Sequence, residues 1–397
     1  MSNLKIFAKT IEQEAIDQVN ELLKQDAFSD CKVRIMPDTH AGKGCVIGFT
    51  ADLGDKVIPN IVGVDIGCGM ITVELGNIDI DLQLLDEVIR KFVPSGMNVH
   101  DGRIYKYDDL SNLKCFRSLK DTKRLERSIG TLGGGNHFIE IDQDDEKNKY
   151  LIIHTGSRNL GKQVAEHYQD LAIELCSGKD KMYDEIEQTI KEYKEQGRRK
   201  ELQGVIKDIN KKYSNMFPTM PKELCYLTGK YRDDYLNDMG ICQEYARLNR
   251  YNIAKLILDN MDIGSITQSF ETIHNYIDLE SNIVRKGAIS AKEGEMLLIP
   301  INMRDGCILG IGKGNEDWNY SAPHGAGRLM SRIKAKATYT LDEFEKSMQG
   351  IYTTSVSKDT IDEAPMVYKD MQEIIDGIQD TVEIKKILKS IYNFKAS

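Results

Sequence analysis

Three stretches of short apolar runs broken by glycines, at residues 40–75, 130–159 and 283–335, constrain this chain more than any other feature of its sequence. They read HAGKGCVIGFT and KVIPNIVGVDIGCGMITVEL, then TLGGGNHFIEI and KNKYLIIHTGSRNLG, then VRKGAISAKEGEMLLIPINM and GCILGIGKGNEDW. Runs this short, rich in Val and Ile and closed by glycine, predict strands and tight turns. Between the second and third stretches, residues from about 162 to 260 follow a helical period. That block includes the charged KEYKEQGRRKELQGVIKDINKKYS, whose interleaved acidic residues and lysines predict a solvated helical face. A helix, EQEAIDQVNELLK, and a strand, CKVRIMP, come before the glycine-rich region. The last sixty or so residues predict helices and a short final strand, SIYNF, with Lys395 after it; removal of the last three residues is expected to spare folding. Strand segments bracketing a helical block predict an α+β fold: one large domain over 1–397, with a sheet-rich core and a helical insertion at about 162–260. The strict βαβ alternation of a doubly wound sheet is absent.

Charge narrows the function classes. Lys plus Arg total 53 against 62 for Asp plus Glu, a net charge of -9, which argues against coating nucleic acid by bulk charge but leaves room for a local basic groove. No apolar run approaches the roughly 18 residues needed to cross a bilayer. The opening MSNLKIFAKTIEQ lacks a secretory apolar core. A cytoplasmic protein without a membrane partner, working as a monomer, is expected. Its eight cysteines are scattered with no CxxC pair, which predicts reduced core thiols, Cys68 alone having a context that suggests chemistry.

Only seven histidines occur, and four share one setting: His137 in GGGNHFIE, His154 in LIIHTGSR, His274 in TIHNY and His324 in APHGAGR. Each lies among Gly, Asn, Ser or Thr, where backbone can approach a ligand closely. Taken singly, each is as well explained as a turn or a satisfied core residue. Four together point to a site. Asp65 and Cys68, three apart in VDIGCGM, can place a carboxylate and a thiolate on one cation. Alone, they read as a turn former and a small buried residue. With the histidines they form a mixed N/O/S set for one or two borderline divalent metals, zinc ranking first on donor chemistry.

Nucleotide motifs of the common kinds fail. AGKGC and IGKGN lack the Ser or Thr of a phosphate-binding GxxxxGK[ST] loop. SAKEGEM has the wrong spacing for a ligase lysine, and TGSRNLG lacks the spacing of a nucleophile elbow. A histidine nucleophile supported by metals is the economical alternative.

MPDTHAGKGCVIG, VGVDIGCGM, GTLGGGNHFIEI, IHTGSRNLG, HNY, RKGAISAKEG, GNEDWNYSAPHGAGRLMSR and IDEAPMVYKD, in that order from about residue 36 to the C-terminus, resemble the RtcB family of RNA ligases. The resemblance implies an α+β ligase dependent on GTP and Mn²⁺. It would join RNA bearing a 3′-phosphate or 2′,3′-cyclic phosphate to a 5′-hydroxyl, on tRNA halves or cleaved RNA, in tRNA splicing or RNA repair. Carried over by motif, Cys68 would bridge two Mn²⁺ sites. His154 and His274 would complete one, Asp65 and His137 the other. His324 would be the guanylylated residue. Asn136, Glu140, Asn275, Asn302, Gly325, Ala326, Gly327, Tyr368 and Lys395 would hold or flank the nucleotide. The resemblance implies manganese where donor chemistry ranks zinc first.

One segment departs from the family pattern. PINMRDGCILG places Ile301, Asn302 and Cys307 where a glycine and two serines are expected, which changes the loop and removes two hydroxyl contacts to the nucleotide. That departure motivates a rival reading, a metal-dependent phosphoesterase using the same pocket without guanylylation. A non-catalytic RNA-binding subunit is a third, disfavoured by the complete ligand set. Arg158, close after His154, is a candidate to grip a backbone phosphate, with a surface salt bridge equally expected.

Overall fold

The computed structural model describes residues 3–28, 30–214 and 216–396 and has the α+β architecture expected. Its centre is a seven-stranded sheet in the order Met296–Asn302, Gly306–Gly312, Val382–Lys395, Phe138–Gln143, Lys149–Thr155, Gly69–Gly76, Ser269–Ile273. Every neighbouring pair in it is antiparallel. A five-stranded sheet, Leu4–Ile6, Val33–His40, Ile47–Asp52, Ile283–Lys286 and Asn275–Asp278, lies beside it. A short ribbon pairs Ala288–Ser290 with Ser321–Pro323.

Alternation along the strands decides which face of the large sheet does what. Ile71 and Val73, Ile139 and Ile141, and Leu151 and Ile153 form one buried cluster with Ile253, Ala254, Ile257 and Leu258 of the long helix Gly229–Met261. Each such isoleucine or leucine contributes roughly 1.5–3 kcal/mol by leaving water. Their alternating neighbours Met70, Phe138, Tyr150 and Ile152 belong to a separate cluster with Leu298, Cys307, Leu309 and Leu388. Glu140, Asp142 and His154 fall on that second face by the same period of two. One face of the sheet is thus committed to a helix, leaving the other for chemistry.

The helical block runs from Arg158–Glu174 through a wide turn at Leu175–Lys179, Asp180–Glu195 and Leu202–Lys212 to Gly229–Met261. Among the described residues between Lys212 and Gly229, only the single turn Lys222–Leu224 is helical. No helix is long and apolar enough to cross a membrane among the described residues.

The C-terminal region corrects two expectations. The final strand is not the short SIYNF but the 14-residue Val382–Lys395, and it lies inside the sheet, paired with Gly306–Gly312 on one side and Phe138–Gln143 on the other. Its first half, to Leu388, pairs with Gly306–Gly312 and its second half, from Lys389, with Phe138–Gln143, which joins the two parts of the sheet through a segment whose lysines had masked its strand pattern. Lys395 is that strand's last residue, opposite Phe138, and is buried. Trimming the chain end would therefore cut into a central strand.

Candidate active site

Cys68 immediately precedes Gly69–Gly76, His137 precedes Phe138–Gln143, His154 is next to last in Lys149–Thr155, and His274 follows Ser269–Ile273. These four strands are consecutive neighbours in the sheet, and because they are antiparallel their starts and ends alternate along one rim. Register completes the alignment: His154 faces both Phe138 and Met70, and Gly69 faces Ile273. Four side chains distant in sequence therefore form one row.

Their donor atoms converge. The Cys68 Sγ lies 3.5 Å from His137 Nε2 and 3.3 Å from His154 Nε2. Asp65 Oδ2 is 3.0 Å from His137 Nε2, and the Nε2 atoms of His154 and His274 are 3.4 Å apart. Two sets result, Asp65–Cys68–His137 and Cys68–His154–His274, each with its ligand atoms within 4.8 Å of one another and with Cys68 common to both. Gly156 is required here, since a Cβ on it would collide with the Asp65 carboxylate.

Hydrogen bonds at the far side of the rings fix the tautomers. His137 Nδ1 donates to the Leu132 carbonyl at 2.9 Å, and His154 Nδ1 to the Asn136 carbonyl at 3.2 Å. With its Nδ1 so engaged, neutral His154 presents the Nε2 lone pair toward Cys68 and His274. A cation among these donor atoms would satisfy them together. Burial, reinforced by neighbouring histidines, pushes His154 well below the usual histidine range, and burial followed by the His324 charge does the same to His274. Both rings are therefore neutral and ligand-competent. Burial and then the Asp65 charge push the Cys68 thiol well up, while half-buried Asp65, whose desolvation would raise it, is held below the usual range by His137. A bound cation would reverse the Cys68 shift by favouring the thiolate. The residues present fit one or two divalent ions.

His324 stands at the end of this row, its ring centroid 4.9 Å from that of His274. Its Nδ1 donates to Asp38 Oδ2 at 2.7 Å and its backbone N–H donates to the same oxygen at 3.1 Å, leaving Nε2 uncommitted. Gly327, three residues on with φ +76°, admits the Asp38 backbone where a Cβ would collide with it.

A cavity of about 660 Å³ opens in front of His324, a size suited to a nucleotide. Asn136, Glu140, Asn302, His324, Gly325, Ala326, Gly327, Tyr368 and Lys395 line it, together with His154 and His274. Asn275 is not among the lining residues: its Oδ1 accepts from the Gly287 N–H at 3.1 Å and its Nδ2 donates to the Asp65 carbonyl at 3.4 Å. Asn302 reaches the lining, but its side chain is engaged in its own turn, accepting from the backbone N–H groups of Arg304 and Asp305 at 3.0 Å each. Ile301 is buried among core isoleucines, and Cys307 is buried against Glu140. Arg158 makes neither a surface ion pair nor an open grip; its Nε donates to Thr131 Oγ1 at 3.1 Å and its Nη2 to the Gly96 carbonyl at 2.8 Å.

Several supporting residues escaped sequence reasoning. Asp38 stands within MPDTH, 286 positions from the histidine it holds. Glu363, from IDEAP, accepts from both Tyr368 and Lys395 and pairs with Arg328 and Arg332, joining four basic or phenolic groups along one wall. Burial alone would raise its carboxyl, but Lys395 and Arg332 bring it down to about 2. Asn249 and Arg250, on the long helix, tie the site's loops together. Asn249 accepts from the N–H groups of Gly130 and Thr131 and donates to the Gly156 carbonyl. Arg250 donates to the carbonyls of Gly67 and Thr155, the residues beside Cys68 and His154. Only the fold brings these groups to the site; the motifs containing Asp38 and Glu363 were the available signal for those two, and nothing marked Asn249 or Arg250.

The chain is similar to known proteins over most of its length. The family model described as tRNA-splicing ligase RtcB matches residues 24–118 and 112–396. An RNA-splicing ligase RtcB of Escherichia coli K12 is 29% identical across 90% of this chain and 88% of its own length. A tRNA-splicing ligase RtcB of Nanoarchaeum equitans is 27% identical across 86% of this chain and 83% of its own. One from Methanococcus maripaludis is 25% identical across 89% and 85% respectively.

Proposed function

The chain belongs to the RtcB family of tRNA-splicing ligases, and from that premise we propose that it seals RNA 3′-phosphate or 2′,3′-cyclic phosphate ends to 5′-hydroxyl ends with GTP, through a guanylylated His324. The observation that carries this reading is the Asp38–His324 pair at the mouth of the cavity. Asp38 accepts the Nδ1 proton, so Nε2 presents its lone pair as a nucleophile, and the carboxylate balances the charge that the ring gains as a bond forms at Nε2. Attack at the α-phosphorus of GTP breaks the bond to the bridging oxygen, and pyrophosphate leaves. The guanylate passes from His324 to an RNA 3′-phosphate, activating it. The 5′-hydroxyl then attacks that phosphorus and GMP departs. A cyclic phosphate must first be opened by water.

Asp65, Cys68 and His137 would hold one Mn²⁺, and Cys68, His154 and His274 another. Bound there, these ions would neutralise phosphate charge during each transfer. The wall of Arg328, Arg332, Tyr368 and Lys395 around Glu363 supplies donors for the nucleotide, and Asn136 and Glu140 line the same cavity. The same reading has the enzyme act as a monomer in the cytoplasm, in tRNA splicing or RNA repair.

The test is incubation with α-labelled GTP and Mn²⁺ followed by denaturation. An acid-labile, alkali-stable protein adduct supports the ligase. The rival phosphoesterase draws on Asn302, whose amide serves its own turn, and on Cys307, which replaces a serine. Phosphate release from 3′-phosphorylated RNA without any adduct would favour it.

A further inference from the structure

The face of the large sheet that carries Phe138 also carries Glu140 and Asp142, two residues apart on one strand. Cys307 reaches the same point from the strand Gly306–Gly312, on the far side of Val382–Lys395. We propose that Glu140, Asp142 and Cys307 form a buried site for one borderline divalent cation of the Zn²⁺ or Co²⁺ class, separate from the Asp65–Cys68–histidine row.

Geometry gives the first argument. One ligand atom from each of the three residues lies within 4.8 Å of the others, and Cys307 Sγ is 3.2 Å from Glu140 Oε1. Asp142 and Cys307 are fully buried and Glu140 is 2% exposed. The second argument is what these groups lack. Neither carboxylate oxygen of Asp142 makes a well-formed hydrogen bond among the described residues; the Cys307 thiol and the Ser390 hydroxyl approach it and only partly offset its burial, which raises the carboxyl to about 7. Asn393, 1% exposed, donates through Nδ2 to Glu140 Oε2 at 2.9 Å, while its own Oδ1 has no partner there. Buried oxygens left without donors are costly, and several at one point call for an ion or shared protons.

Among the described residues no side-chain cation bonds to Glu140 or Asp142. Lys395, whose charge reaches Glu140, is hydrogen-bonded to Glu363 instead. The surroundings are Phe138, Tyr150, Ile152, Leu309 and Leu388, an apolar setting. Carboxylates alone would suit hard ions, and the thiol shifts the preference toward borderline ones. Binding would release the Cys307 proton to solvent, as it does for any thiol that becomes a ligand. The site is this chain's own: Cys307 stands where the RtcB pattern has a serine. It shares Glu140 with the nucleotide cavity of the ligase reading, while Asp142 and Cys307 are its own.

Cobalt tests the proposal, because thiolate-to-Co²⁺ charge transfer absorbs in the near ultraviolet. After chelator treatment and reloading, the Cys68→Ser protein should still show that band and retain a tightly held Co²⁺. The band should vanish in the Cys68→Ser/Cys307→Ser protein, which should also hold one Co²⁺ fewer than Cys68→Ser. No band in Cys68→Ser, or a band indifferent to Cys307→Ser, overturns the site. Crystals of the unmodified chain grown with Co²⁺ give a check independent of mutant folding. An anomalous peak bonded to Cys307 Sγ and Asp142 supports the proposal; cobalt confined to the Asp65–Cys68–histidine row overturns it and leaves shared protons in its place.

Discussion

One oxygen of the fully buried Asp38 accepts two hydrogen bonds from His324, from the ring at 2.7 Å and from the backbone at 3.1 Å. The carboxylate thus sets both the tautomer and the angle of the ring, and its other oxygen has no partner among the described residues. Asp38→Asn keeps the volume but loses the charge that stabilises a cationic ring, and it can present an N–H where an acceptor is needed. Adduct formation in a single turnover is expected to slow by ~10² or more, by analogy with a mispositioned histidine in other nucleophilic sites. Metal content, measured on the same sample, should be unchanged, which separates positioning of His324 from loss of the ligand row.

His324 and His274 are adjacent rings with different assignments. His324→Ala should abolish adduct formation and overall ligation yet retain metal, and RNA supplied with a 3′-guanylylated end should still be joined. His274→Ala should lose metal and fail at both stages, since a missing ligand affects every metal-assisted step. Metal analysis and the rescue assay together check the pair. An adduct formed normally by His324→Ala would place the nucleophile elsewhere.

The row of candidate ligands was legible in the sequence because its histidines and Cys68 lie among small or polar residues beside strand ends, where residue type and local pattern coincide. The α+β class followed from strand segments flanking a helical block. What stayed hidden has a common physical origin in tertiary packing. Val382–Lys395 is charged enough to resemble a surface segment, and only pairing of its two halves with two different strands makes it a central strand. Asn275 and Asn302 have the residue type of ligand contacts, but backbone groups nearby claim their amides. Arg250 lies in an ordinary helical pattern, and its partners Gly67 and Thr155 are 183 and 95 residues away.

Arg250 also yields a stability prediction. It is 1% exposed, bonds two loop carbonyls and pairs with Glu271 at 2.8 Å. Arg250→Met preserves much of the length but leaves those carbonyls unpaired. A loss of about 2–4 kcal/mol is expected in chemical denaturation. Metal affinity should fall with it, because the freed loops carry Cys68 and His154. Unchanged stability would mean that water replaces the guanidinium without cost.

Glu363 gives the pH dependence. Its folded value of about 2 lies below its usual 4.5, so the unfolded chain takes up the proton first as pH falls. The stabilisation is complete above about 4.5 and is lost as pH drops toward 2, amounting to at most about 3 kcal/mol. Glu363→Gln should therefore be less stable than the parent at neutral pH. The gap between the two, from denaturation curves at successive pH values, should close across that acid window. A gap independent of pH would show that the carboxylate charge is not what Lys395 and the arginines use.

Asn302 decides how the altered loop should be read. In the structure its Oδ1 accepts from the N–H groups of Arg304 and Asp305 and its Nδ2 donates to Asp305 Oδ2 at 2.8 Å, so the side chain closes the turn between two strands. An Asx-type turn of this kind is local and does not need a ligand. Asn302→Ala should then cost about 1 kcal/mol of stability and change the apparent GTP affinity by less than about threefold. A nucleotide contact predicts the reverse: little change in unfolding, with GTP affinity down by tenfold or more for the loss of a hydrogen bond in a closed pocket. Measuring both quantities on the one variant separates the roles, because the turn and the nucleotide compete for the same two amide atoms.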